Sequence, residues 1–367
     1  MGRKPEGAPP LRRGWTTGAC AAAATKAAYA ALLTGGAFPD PVTLRLPGGE
    51  RPSFPLVEWE LPAPDRALAA VVKDAGDDPD VTHGALVRAT VRRLPPGAGV
   101  AFRAGEGVGT VTLPGLPVPV GEPAINPGPR AMIRDAVAEL ATAHGVPGDV
   151  EVTVAIPGGE DLARRTMNGR LGIVGGLSVL GTTGVVIPYS CASWIHAIHR
   201  GIDVARAIGL THVAACTGST SERAVQAVYA LPETALIDMG DFAGGTLKYL
   251  RRHPLPRLTL AGGIGKLAKL AQGHLDLHSG RSAVDVAALA DLLAEAGAPP
   301  ETVAATRAAP SANAVLTIAG ETHGRALADA VAARARGVAL RQLAGQTAVE
   351  VLVFDRGGAP IGRAPGW

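Results

Sequence analysis

Hydroxyls, carboxylates and glycines gather in a few short strings of this chain, and each string has a chemistry it could perform. Thr16 and Thr17 precede Gly18 at the start of an Ala-rich helix, in TTGAC. Two hydroxyls, a glycine that admits close approach and the unpaired N–H groups of a helix start make an anion site in principle, or a plain helix cap. Lys26 falls two turns further on, within reach of the same anion or of water. Asp74, Asp77, Asp78 and Asp80 crowd one turn-forming stretch beside Lys73, in KDAGDDPD. Their spacing is not that of a twelve-residue calcium loop. Asx turns account for one or two of them; facing a ligand, the rest accept a proton or hydrogen-bond a cationic cofactor. Asn126, in NPGPR, can bond backbone or ligand. Thr182 and Thr183, in LGTTG, repeat the hydroxyl-plus-glycine arrangement.

Two further turns follow short apolar runs. TGSTSE, with Gly218 and Ser219, follows THVAAC, and GGIGKLA, with Gly263, Gly265 and Lys266, follows RLTL. The second fits G-x-G-x-x-A, a dinucleotide fingerprint. A nicotinamide enzyme also needs a strand ending in an acid about 20 residues on, and Asp285, in QGHLDLHSGRSAVD, does not end a convincing strand. The phosphate-loop pattern fails, because Leu260 stands where its first glycine belongs. His196 and His199 share a helix face, but no third ligand with metal spacing accompanies them. Cys20, at a helix start, reads as a buried small residue before it reads as a reactive thiol.

Composition narrows the partners. A net charge of +3 over 367 residues is too small to argue for nucleic acid. Locally, Arg12, Arg13, Lys26, Arg164, Arg165 and Arg170 lie close to the special strings and suit a substrate that carries carboxylates. Three cysteines, an odd number, and a Pro-rich charged start without an apolar stretch point to reduced thiols in the cytoplasm. No long charge-free apolar run predicts a membrane span. The first residues read as a disordered lead-in.

The elements that must position these strings fall into two patterns. Cys20 to Leu33 predicts a helix stopped by Gly35 and Gly36, and Arg130 to Gly145 an amphipathic one opened by Pro129. Between them PVTLRLP, LAAVVKDAG, ALVRATVRRL and VGTVTLPGL, and after them EVTVAIP, predict strands. Residues 1–190 therefore form an α+β domain. From about 191 to 367, THVAAC, ETALIDMG and RLTLAGG each lead through a turn into a helix. That succession predicts a mainly parallel sheet, an α/β Rossmann-like domain. The tail adds two Ala-rich helices and a last strand, VEVLVFD. Ligands of such sheets sit at the carboxyl ends of the strands. The boundary is soft, near Pro188 to Arg200.

Taken in order, GWTTGACAAAATKAA, VVKDAGDDPDVTHGA, GEGVGTVTLPGL and GEPAINPGPRAMI resemble the cobalt-precorrin-5B C(1)-methyltransferase family of anaerobic cobalamin biosynthesis. Two later strings, Ile156 to Ser190 and Gly262 to Ser279, agree. The resemblance implies methyl transfer from S-adenosylmethionine to ring carbon C1 of a polycarboxylate corrinoid, giving cobalt-precorrin-6A. Cobalt then arrives with the substrate, and no protein metal site is required. It implies Asp77 and Asp78 as catalytic. Gly218, Ser219, Gly263, Gly265, Lys266 and His278 would bind the cofactor. Thr16, Thr17, Gly18, Lys26, Lys73, Asp80, Asn126, Arg170, Thr182 and Thr183 would bind the substrate. Two strings depart from the family's pattern: TGSTSE replaces a Gly-Asn-x-Gly type of turn, and Asp276-Leu277-His278 replaces Asn-Thr-His. A homo-oligomer is compatible with all of this. The alternatives are a nicotinamide-dependent reductase, resting on GGIGKLA, and a non-catalytic tetrapyrrole-binding protein.

Overall fold

The structure, a computed structural model, describes residues 10–345 and 347–367. Nearly all of the Pro-rich lead-in lies outside the described residues. The described chain divides into two compact units, 10–191 and 192–367.

The first unit opens with β1 (Gly14–Trp15), α1 (Thr17–Thr34), β2 (Val42–Thr43) and β3 (Ser53–Phe54). Then come β4 (Glu58–Ala63), β5 (Arg66–Val72), β6 (Leu86–Arg93), β7 (Val100–Ala104) and β8 (Thr110–Val111). It ends with α2 (Pro127–His144), β9 (Val150–Ala155), α3 (Gly159–Ala163), β10 (Ile173–Val174) and β11 (Val185–Val186). Its main sheet runs β4-β5-β6-β9-β7, antiparallel except where β7 lies parallel to β9. In β6 and β9, buried and half-exposed residues alternate, the signature of a sheet covered on one face. That cover is α1 and α2, packed on each other. α1 is buried on nearly every side. Alanine serves there because a small side chain lets helix, sheet and second helix approach together. Thr16 Oγ1 caps its start by accepting from Ala19 N, and Gly35, at φ 73°, ends it. Sequence periodicity finds β5, β6 and β9. It misses β4, a short charged and apolar alternation interrupted by Pro62 whose Trp59 and Leu61 are exposed, and the mostly half-buried β7.

The second unit runs α4 (Cys191–Ala207), β12 (His212–Cys216), α5 (Ser219–Tyr229), β13 (Leu236–Asp238), α6 (Ala243–Arg252), β14 (Arg257–Gly263) and α7 (Ile264–Ala271). It continues through α8 (Val286–Glu295), α9 (Pro300–Arg307) and α10 (Ala312–Leu343) into β15 (Ala348–Phe354) and β16 (Pro360–Ala364). Its sheet has the order β13-β12-β14-β15-β16, parallel throughout except for the edge strand β16. The chain leaves β12 toward one edge and later crosses to the other side of it, so strand order reverses between β12 and β14. α5 covers one face, with Val225 against Ala214, Cys216, Leu236, Ala261 and Leu352. α4, α6, α7, α8 and α10 supply the core on the other. The tail holds three helices rather than the two expected, and α10 is broken at Gly320 (φ 65°, ψ −172°).

In the first unit, glycines mark where backbones touch. A Cβ on Gly14 would lie 2.0 Å from the carbonyl carbon of Ala75 and 2.4 Å from Gly76 N. The loop cannot retreat, because Trp15 N donates to Asp74 O at 2.7 Å. Gly14→Ala is therefore expected to cost about 3 kcal/mol, through forced separation of two backbones. Urea unfolding would measure it, and an unchanged midpoint would contradict this account of the contact.

Candidate functional site

The carboxyl edge of the second sheet carries a cleft of about 470 Å³. Its walls are Thr217 to Ser221 after β12, Gly263 to Lys266 after β14, and Phe354 to Arg356 after β15, with Asn313 from α10. This is where strand order reverses, the place at which open α/β sheets bind ligands. Neither helix start that lines it is closed by a side chain. α5 begins behind Gly218 and α7 behind Gly263, and neither cap residue supplies a side-chain hydrogen bond. Gly218 and Gly265 have open space where a Cβ would stand. Lys266 ties the two turns: its Nζ donates to Thr217 O at 2.7 Å and pairs with Asp241 at 3.1 Å.

Of the expected cofactor residues, Gly218, Ser219, Gly263, Gly265 and Lys266 all line this one cleft. His278 does not. Its Nδ1 accepts from Gly280 N at 3.1 Å and shapes its own turn. Asn313, Phe354, Asp355 and Arg356 were missed by sequence reasoning. The end of VEVLVFD carried a usable signal for Asp355, as the carboxyl end of a parallel strand; nothing in the sequence marked Asn313. Asp285 caps α8, accepting from Ala288 N at 3.1 Å. It ends no strand, so the dinucleotide reading of GGIGKLA has no acid there.

In the first unit, the special strings do meet, and they meet largely to hold one another. Gly18 N donates to Leu180 O at 3.1 Å, Asn126 N to Val179 O at 2.9 Å, and Thr16 N to Gly184 O at 2.9 Å. Asn126 Nδ2 also reaches Val179 O, at 3.3 Å. With Thr16 Oγ1 bonded to Ala19 N and Thr16 O to Cys20 N, the N–H groups of residues 18 to 20 all have protein partners. Thr16 and Thr17 are buried. At these three N–H groups the start of α1 is thus a helix cap, the second of the two readings that the TTGAC string allows. Lys26 binds Thr43 O and Glu139, at 2.8–2.9 Å, and so joins α1 to α2 instead of facing a substrate. Lys73, 3% exposed, donates to Asp80 and Thr82 and is likewise withdrawn from any large ligand. For Asp80, burial favours the protonated form; the charge and hydrogen bonds of Lys73 and Thr82 outweigh it and keep the carboxyl below its usual range. Arg170 sits in a 3₁₀ turn before β10. Burial pushes the Cys20 thiol up to about 12, so it is an inert core residue.

What faces outward from this cluster is a smaller set. Asp77, exposed, accepts Arg12 N. Asp78 Oδ1 accepts Tyr189 N at 2.7 Å and so fixes a tyrosine held at φ 58°. Thr182, Thr183 and Arg13 are exposed, beside exposed Leu180, Ile187 and Tyr189. β1 pairs with β11, Gly14 opposite Val186, which places Arg13 and Ile187 at the same end of that ladder. Elsewhere, His199 stacks on Tyr249 at 3.8 Å, and among the described residues no group of three His, Cys, Asp or Glu could hold a metal ion.

The Arg12–Asp74 pair has a readable pH signature. Its hydrogen bond to Arg12 lowers Asp74 to about 2 from an ordinary 3.8, against the opposing effect of burial. A lowered carboxylate stabilises the fold above its ordinary value and ceases to as pH falls toward the folded one. The wild type should therefore lose melting temperature between pH 3.8 and about 2 more steeply than Asp74→Asn does. The pair is partly exposed, so about 1 M salt should shrink the difference. Parallel acid-melting curves would refute it.

A family model described as CbiD matches residues 4–188, and one described as CbiD, C-terminal domain, matches residues 276–365. A protein of Bradyrhizobium sp. strain BTAi1 named cobalt-precorrin-5B C(1)-methyltransferase is 61% identical over 358 residues, covering 97% of this chain and 94% of that one. One of the same name from Paramagnetospirillum magneticum is 59% identical, covering 96% and 98%. A crystal structure of a cobalamin biosynthesis protein (cbiD) from Archaeoglobus fulgidus shares 26% identity over 74% of this chain and 83% of that one; its TM-score of 0.40 adds nothing to the fold described above. Both family models and the near full-length relatives agree: this chain belongs to the CbiD family.

Proposed function

We propose that this chain transfers a methyl group from S-adenosylmethionine to C1 of cobalt-precorrin-5B, giving cobalt-precorrin-6A in cobalamin biosynthesis. The observation that carries the reading is 61% identity to a protein of that name along nearly the whole of both chains. At that identity and coverage both units are shared, not one motif. The chain is an S-adenosylmethionine-dependent C-methyltransferase.

The reaction asks for alignment more than for acid–base work. The electron pair at C1 takes the methyl carbon, the carbon–sulfur bond breaks, and its pair stays on sulfur. The sulfonium becomes a neutral thioether, S-adenosylhomocysteine. C1, methyl and sulfur must lie in line, so rigid seats for donor and acceptor supply most of the advantage. For the donor, the cleft after β12 and β14 is the seat this reading favours. Its uncapped N–H groups suit the methionine carboxylate, and Lys266 holds the two turns at a fixed separation. For the corrinoid, the exposed Leu180, Ile187 and Tyr189 offer an apolar face to a macrocycle, and Arg13 offers a partner to its carboxylates. Asp78 acts there by positioning Tyr189, and Asp77 by anchoring the chain at Arg12. Thr182 and Thr183 border the same face. The cobalt is carried by the substrate, so the reading needs no resident metal. Among the described residues no helix is long and apolar enough to cross a membrane.

Gly265 permits a sharp test. A Cβ there meets nothing within 4 Å, the residue lies in the first turn of α7, and it lines the cleft. Gly265→Leu should fill the cleft while leaving the melting temperature equal or slightly higher, since leucine favours a helix over glycine. Calorimetry should then find S-adenosylhomocysteine binding weakened about tenfold or more. Transfer of labelled methyl to cobalt-precorrin-5B should fall with it. Undiminished binding in Gly265→Leu would remove the donor from this cleft.

A further inference from the structure

The topology of the second sheet relocates a feature that the sequence pattern sought in the wrong place. The glycine-rich turn GGIGK follows β14, but the strand that begins the sheet is β12, and its turn is Thr217-Gly218-Ser219. In a doubly wound sheet the first strand's turn approaches the ligand, and an acid closing the next strand, about 20 residues on, hydrogen-bonds the ribose hydroxyls of an adenosyl group. The next strand here is β13. It ends in Asp238, twenty residues after Gly218.

Three observations put that residue beside the Thr217-Gly218-Ser219 turn, which is the nearest wall of the cleft, although no residue of β13 lines the cleft itself. β13 lies parallel to β12, with Asp238 directly opposite Cys216, one strand spacing from the residue that leads into Thr217 and Gly218. Side chains of β13 alternate between faces: Leu236 packs with Val225 of α5 and Ile237 with the opposite core. Alternation therefore turns Asp238 to the α5 face, the face on which Phe354 reaches the cleft. Finally, the backbone is pinned. Met239 N and Gly240 N both donate to Cys216 O, at 2.9 and 3.2 Å, and Trp194 Nε1 donates to Asp238 O at 3.0 Å. The end of β13 is thereby folded against the end of β12.

From this placement we infer that Asp238 receives the ribose hydroxyls of an adenosyl ligand that extends from the cleft past the Thr217-Gly218-Ser219 turn toward the end of β13. The inference rests on the reading that this cleft holds S-adenosylmethionine. It adds a residue to the donor site that neither glycine-rich turn contains, and it gives the ribose a seat separate from the one proposed for the methionine carboxylate.

Calorimetry of S-adenosylhomocysteine, its 2′-deoxy analogue and NADH against the wild type and Asp238→Asn tests it. The expected result is S-adenosylhomocysteine binding roughly 10- to 100-fold weaker in Asp238→Asn, the usual effect of losing a hydrogen bond to a charged group. The wild type should discriminate against the 2′-deoxy analogue by a similar factor, and the variant should barely discriminate, because hydroxyl and carboxylate act as a pair. The wild-type comparison needs no mutant and stands even if Asp238→Asn folds poorly. Equal S-adenosylhomocysteine binding by both proteins, or no discrimination by the wild type, overturns the role of Asp238 alone. Absence of S-adenosylhomocysteine binding by the wild type, with binding of NADH instead, overturns the donor reading of the cleft and this inference with it.

Discussion

The reversal of strand order between β12 and β14 is the constraint on which the second unit depends. From β12 the chain passes over one face of the sheet through α5, and from β13 it returns over the other through α6. The two turns that leave β12 and β14 therefore diverge to opposite faces, and neither can cover the other. A gap at the carboxyl edge is the geometric result, before any side chain is chosen. The sequence then keeps the gap open. Glycines stand at 218, 263 and 265, and the helices that start there carry no side-chain cap. Lys266 bridges the turns from the side, by donating to Thr217 O, and fixes the width.

The first unit shows the contrary arrangement at a helix start of similar composition. Thr16 and Gly18 lead into α1 much as Gly218 and Ser219 lead into α5. Yet the N–H groups of residues 18 to 20 are taken by Leu180, by the Thr16 hydroxyl and by the Thr16 carbonyl. The difference lies in what surrounds the turn. α1 is enclosed by sheet and second helix, and a buried donor left without an acceptor would cost more than the cap that satisfies it. α5 begins at the open edge of a sheet, where its first amides remain available.

Lys73 follows the same logic with a full charge. Its ammonium is buried, and such a group is tolerated only when paired and hydrogen-bonded. Asp80 and Thr82 provide both. The acidic loop thus divides: Asp80 and Asp74 neutralise cations within the protein, while Asp77 and Asp78 hold its outward chain at Arg12 and Tyr189. By resemblance, Asp77 and Asp78 stand apart as catalytic and Asp80 as a substrate ligand; which of them pair inward is not legible in the sequence, because that depends on partners up to 111 residues away.

Much of the architecture was legible because periodicity is local. Buried alternation in β6 and β9, and the repeated strand–turn–helix of the second unit, are readable in any window of ten residues. Strands without such alternation, β4 and β7, were not, since their pairing is decided by neighbours. The site was legible in part for a different reason. Glycine-rich strings announced both places where something comes close to the backbone, but glycine does not say what. At Gly14 the close neighbour is the chain itself, 2.0 Å from the missing Cβ, whereas at Gly218 and Gly265 there is none within 4 Å. The same residue type closes one unit and opens the other. Strand order supplies the missing information, because it decides which turns face packed chain and which face a gap. Asp238 illustrates the gain: the sequence shows an acid near the end of ETALIDMG, and the pairing of β13 with β12 gives it a place beside the turn that holds Gly218.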